Sequence, residues 1–203
     1  MRPDYRVNDF FPCNPEPKAM SEDHRMANQN DSQDTIIHRL IKDLSYSSVE
    51  TRHEAIGMLG EYGEAAVEPL IRALAEAGTN DYRWYLAVAL SRVGEPAIRP
   101  LIAEMQVNVT TEFRRYAAAA LGEMGAPAVE SLIDAMGTTD QTLRGFLSLA
   151  LCRIGPAAVE PLTRRLGDAN ETIRTCSALT LWQMGETGLP AIMQKIREES
   201  DNT

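Results

Sequence analysis

Three histidines, three cysteines and one adjacent His-Glu pair are the residues whose chemistry could reach beyond packing and solvation. The histidines are His24, His38 and His53, and the cysteines Cys13, Cys152 and Cys176. A metal site needs several His, Cys or carboxylate ligands converging at once, and zinc sites or disulfide frameworks show as paired cysteines. Here no CxxC pair occurs and the cysteine count is odd. His53 with Glu54 offers a single metal or acid-base couple, which on a helix is ordinarily a solvated edge. Neither Cys152 nor Cys176 has a basic partner in the pattern that would make it a nucleophile. These residues predict no cofactor, no metal and no catalytic centre.

The elements that position these residues are helices. Hydrophobic residues make up 44% of the 203-residue chain while aromatics are only 6%, and abundant Ala and Leu are punctuated by Gly and Pro. That balance favours helices broken at regular places. A formal charge of −9 opposes general nucleic-acid binding, because phosphate needs a basic face. No run of eighteen apolar residues and no apolar signal core is present, so the reading is a reduced, cytoplasmic protein that does not engage a membrane.

A glycine recurs at 63, 94, 125, 155 and 185, a period near 30 that signals a solenoid. Eleven residues before each stands an arginine: Arg52, Arg83, Arg114, Arg144 and Arg174. Four before each comes Leu59, Leu90, Leu121, Leu151 or Leu181, and seven after it Leu70, Leu101, Leu132, Leu162 or Ile192. Each repeat therefore carries two apolar stripes at helical spacing. Ser48, Thr79, Thr110, Asp140 and Asn170 stand where a first helix needs a capping acceptor, and the glycines Gly63, Gly94, Gly125, Gly155 and Gly185 end that helix. Pro69, Pro100 and Pro161 fit the first turn of the second helix. The methionines Met58, Met105, Met124, Met136 and Met184 fall mostly on core stripes.

This spacing predicts an all-α superhelix over 35–199: a cap helix at 36–44, then repeats near 48–76, 79–107, 110–137, 140–167 and 170–199. The proline-rich and polar segment 1–34 and the end 200–203 are expected to be disordered.

The block R-x-x-[AL]-x-x-x-L-x-x-[VMIY]-G followed by [AV]-x-[PS]-L resembles the HEAT-like repeats of phycobilin lyases and deoxyhypusine hydroxylase. The resemblance implies an α-α solenoid whose second helices line the concave side. The hydroxylase sets His-Glu pairs directly after the repeat arginine to hold two irons. Here His53-Glu54 is followed by Trp84-Tyr85, Arg115-Tyr116, Gly145-Phe146 and Thr175-Cys176, so that chemistry is missing.

Nine residues before each glycine stand Glu54, Tyr85, Tyr116, Phe146 and Cys176, a column that could anchor a partner or plug gaps between repeats. On the second helices Glu68, Arg72, Arg99, Glu104, Glu130, Asp134, Glu160, Arg164 and Arg165 form a mixed-charge face able to steer a partner. The repeat arginines read as fold residues that tie neighbouring repeats together. The expected function is a non-enzymatic scaffold binding a protein or peptide on the concave face, with no nucleic acid and an oligomeric state left open. The alternative is a lyase-like or chaperone-like subunit handling a small conjugated ligand along Tyr85, Tyr116 and Phe146.

Overall fold

The computed structural model describes residues 22–46 and 48–201. Among them every regular element is helical: α1 (Glu22–Tyr46), α2 (Val49–Tyr62), α3 (Glu64–Glu76), α4 (Asn80–Val93), α5 (Glu95–Val107), α6 (Thr111–Met124), α7 (Val129–Ala135), α8 (Gln141–Ile154), α9 (Val159–Arg164), α10 (Glu171–Gln183) and α11 (Leu189–Asp201). Short 3-10 turns at Ala126–Ala128, Gly155–Ala158, Arg165–Gly167 and Gly185–Thr187 extend the second helices of the last three pairs. The pairs α2–α3, α4–α5, α6–α7, α8–α9 and α10–α11 stack in chain order, and α1 packs on the first. The fold is an all-α solenoid.

Local chemistry sets the boundaries. The side chains of Ser48, Thr79, Asp140 and Asn170 accept first-turn backbone N–H groups, as at 3.0 Å from Leu143 to Asp140. Thr110 departs from the pattern: its hydroxyl donates to Asn108 Oδ1 at 2.7 Å, a nearby acceptor that competes for it. The anchor glycines take φ between 55° and 77°. At Gly125 this combines with ψ −144°, a region essentially closed to side chains.

Because that glycine turn needs no linker, α3 and α5 start at once, at Glu64 and Glu95. Pro69 and Pro100 therefore lie in the second helical turn, not in the first as the sequence suggested. Each removes one N–H from the ladder.

The first element also differs from expectation. α1 begins at Glu22 and not near Ile36, so the segment 22–34 is helical. Ile37, Leu40, Ile41 and Leu44 bury against the first pair, and a packed helix propagates readily through good helix formers such as Glu, Met, Ala and Gln. The remainder of the expected tail, residues 1–21, and the last residues 202–203 lie outside the described residues.

The core is one continuous layer between the two rows of helices. Leu59, Leu90, Leu121, Leu151 and Leu181 on the first helices are fully buried, as are Leu70, Leu101, Leu132 and Leu162 on the second. Met105 and Met136 are buried too, whereas Met58 is exposed because α2 presents that position to solvent. The stretch Gln141–Gly167 is apolar enough by composition to cross a bilayer. Gly155, at φ 74°, breaks it into α8 and the helices that fold back on it. The fourteen residues of α8 reach roughly 21 Å against a hydrocarbon core of about 30 Å.

Successive first helices approach one another more closely than successive second helices do. Small residues allow it: a Cβ on Gly60 would meet Arg92 Cγ at 2.7 Å, and one on Gly122 would meet Arg153 Cδ at 2.6 Å.

Candidate binding surface on the first-helix layer

The repeat arginines brace the surface from behind. Arg114 is buried; its Nε donates to Met105 O at 2.9 Å and Asn108 O at 3.1 Å, and its Nη2 lies 2.8 Å from Asp140 of the next repeat. Arg144 donates to Thr138 O at 2.8 Å and Arg174 to Asp168 O at 2.7 Å, each six residues back. These carbonyls close the turn that leads into each first helix. Arg52 instead reaches Asp81 of the next repeat at 3.0 Å, and Arg83 meets Asn80 of its own helix at 3.2 Å. Accepting the Leu143 N–H, and then the Arg114 guanidinium, holds the Asp140 carboxyl below the ordinary range.

The aromatic column is not a free platform. Tyr85, Tyr116 and Phe146 are half-buried and pack against the core. The Arg52 guanidinium lies 4.5 Å from the Tyr85 ring centroid, a cation–π contact that occupies one face of the ring. Glu54, the first member of the column, is exposed, as is His53 beside it.

The second-helix charges are largely used in stitching repeats together. Arg165 reaches Asp134 at 2.6 Å, Asp168 at 2.9 Å and Glu130 at 3.2 Å; Arg164 reaches Glu130 at 2.7 Å and Glu160 at 3.7 Å. Donating hydrogen bonds to Asp168, and then to Glu130, raises the Arg165 pKa above its ordinary value. Glu68 and Arg72 pair along one helix at 3.7 Å. Arg99 is exposed and Glu104 half-buried. These residues lie on the second-helix layer.

An open groove lies between α8 and α10 on the first-helix layer. One cavity of about 420 Å³ is lined by Gly145, Ser148, Cys176, Leu179 and Gln183 among others. A second, of about 380 Å³, is lined by Phe146, Leu149 and Cys152, and it shares Gly145 and Gln183 with the first. Gly145 supplies the depression, since nothing stands within 4 Å of where its Cβ would be. The polar groups at its base satisfy one another: Ser148 meets the Thr180 hydroxyl at 2.8 Å and donates to Gln183 Oε1 at 2.9 Å. Leu149 and Leu179, 54% and 53% exposed, supply large apolar surface beside it. Burial pushes the Cys152 and Cys176 thiols up, so neither is a ready thiolate.

Of the residues singled out in the sequence, Phe146 and Cys176 of the column border this groove, together with Cys152 and the repeat arginine Arg144. Leu149 and Leu179 were missed. The position six before each glycine reads Gly57, Val88, Ala119, Leu149 and Leu179, and its growing size toward the C-terminal repeats was the available signal.

Residues 113–138, which span α6 from its third residue, the following turn and α7, match the family described as PBS lyase HEAT-like repeat. The chain is a HEAT-like repeat protein. The same register of arginine, leucine and glycine runs through all five pairs of this HEAT-like array. Among curated proteins none matches it in sequence. Its structural neighbours include an engineered protein at 19% identity, covering 79% of this chain and 86% of that one with a TM-score of 0.34. A computationally designed armadillo repeat protein for modular peptide recognition aligns at 16% identity over 78% of this chain and 91% of its own, TM-score 0.30. Another designed armadillo repeat protein, in complex with the peptide (KR)4, aligns at 15% over 78% and 90%, TM-score 0.31.

Proposed function

We propose that this HEAT-like repeat protein is a non-enzymatic scaffold that binds a protein or peptide segment in the groove between α8 and α10. The observation that carries this reading is the pair Leu149 and Leu179, each more than half exposed beside a depression made by Gly145. Large apolar side chains left in water around a concave site are the usual anchors of recognition. The sequence supports the non-enzymatic half of the reading, because the register positions after the repeat arginines hold one His-Glu pair and no recurring ligand set.

Affinity capture followed by cross-linking and amide exchange tests the proposal. The bound partner is expected to protect α8 and α10, and Leu179→Asp to weaken binding by about tenfold or more, roughly 1.4 kcal/mol. Protection confined to the second helices, or a Leu179→Asp variant that binds unchanged, would refute it. A titration with a bilin followed by absorbance is expected to show no spectral change, since Arg52 already covers one face of Tyr85.

A further inference from the structure

The repeats themselves show what Arg144 lacks. Arg52 reaches Asp81 of the next repeat at 3.0 Å, and Arg114 lies 2.8 Å from Asp140 of the next repeat. In the repeat that follows Arg144, the register position of Asp81 holds Thr172 and that of Asp140 holds Asn170. Both are neutral. Among the described residues Arg144 forms no ion pair, and its one hydrogen bond goes to Thr138 O at 2.8 Å. Most of the guanidinium's donors are therefore left without a protein acceptor. Arg83 forms no ion pair either, but of the two only Arg144 borders the groove.

This uncompensated charge is turned toward the groove. Arg144 is half-buried and lines the larger cavity, and its charge acts on the Cys176 thiol across the cavity, opposing the effect of burial. One carboxylate, that of Glu171, lines the same cavity. It is exposed, forms no ion pair with Arg144, and stands in the first turn of α10, where the helix dipole already favours its charge. The apolar anchor Leu149 stands beyond Arg144 on the same helix, about 7.5 Å further along its axis.

We infer that the segment held in this groove is acidic as well as apolar: an Asp or Glu side chain pairs with Arg144 while its apolar neighbours rest on Leu149 and Leu179. The inference rests on the groove being the binding site proposed above. The incoming carboxylate does for Arg144 what Asp140 does for Arg114 within the chain, and the planar guanidinium suits two-point pairing with it. A basic segment would add a second cation to a half-buried one. A neutral segment would cover the guanidinium and leave it desolvated and unpaired. The carboxylate belongs to a side chain within the segment, because the cavity continues past Arg144 to Gln141 and Thr172 in the first helical turns, leaving room for the chain on both sides of the charge. The net charge of −9 repels such a segment over the rest of the surface, which confines it to this position.

Random peptides displayed on phage and selected on the full chain supply the probe, and the retained sequences are remade with both ends blocked. Peptides lost on Leu179→Asp are groove ligands. They are expected to carry Asp or Glu between apolar residues, and exchanging that residue for its amide is expected to weaken binding about tenfold or more. Asn170→Asp supplies the carboxylate missing from the register and keeps the α10 cap, since Asp caps a helix as well as Asn does. It is expected to leave the helical circular dichroism unchanged and to weaken the acidic peptides by a similar factor, with their amide counterparts unaffected. Groove ligands that are basic or uncharged, or that respond neither to the amide exchange nor to Asn170→Asp, overturn the acidic pairing while the scaffold function stands. So does a ligand that binds only with its C-terminal carboxylate free. Recovery of no peptide sensitive to Leu179→Asp overturns both.

Discussion

Arg114 and Arg83 hold the same register position, and nothing in the repeat distinguishes them. Their surroundings do. Arg114 is buried, closes a loop through two carbonyls and pairs with Asp140, while Arg83 touches only Asn80. Charged groups bonded out of water contribute far more than exposed pairs. Arg114→Ala is expected to cost about 3 kcal/mol in urea denaturation, and Arg83→Ala less than about 1 kcal/mol. Equal losses would mean that the five arginines share one role. The spacing made all of them visible as fold residues; which carbonyl or carboxylate each one reaches depends on the path of the preceding loop, which a period cannot encode.

At the scale of the helix, Gly125 and Gly145 show one residue type doing opposite jobs. Gly125 turns the chain at φ 74° and ψ −144°, where a Cβ is strained whatever space surrounds it. Gly145 sits inside α8 with open space around it, and so only weakens its helix. Gly125→Ala is expected to lower stability by about 1–3 kcal/mol, and Gly145→Ala to raise it by about 0.5–1 kcal/mol. Thermal melting of the two variants checks the pair, and shifts of the same sign would contradict this reading of the two glycines. The anchor glycine was legible from its period. Gly145 was not, because a helix-interior glycine breaks no pattern, yet its missing side chain forms the groove.

Over the whole molecule, each pair is supported only by its neighbours, so stability should fall from the middle of the stack toward its ends. The central α6 and α8 have packed neighbours on both sides, whereas α11 leaves Met193 and Ile196 in water. Native-state amide exchange is expected to be slowest in α6 and α8 and fastest in α11. Uniform protection along the chain would show global cooperativity in place of nearest-neighbour support.

The amino-acid order alone determined the helix pairs, their number, their buried leucines and every first-helix cap but Thr110, because each follows from spacing within about thirty residues. It also excluded a recurring metal-ligand set, since that requires residue types which are not there. Tertiary packing decided how closely neighbouring first helices approach, because Arg92 and Arg153 occupy the space that a Cβ on Gly60 or Gly122 would take. It decided that Glu130, Asp134, Arg164 and Arg165 spend their charge on one another. Packing likewise left Leu149, Leu179 and Trp182 uncovered. Exposure is a property of what stands opposite a side chain, and a repeat pattern specifies the side chain without specifying its opposite.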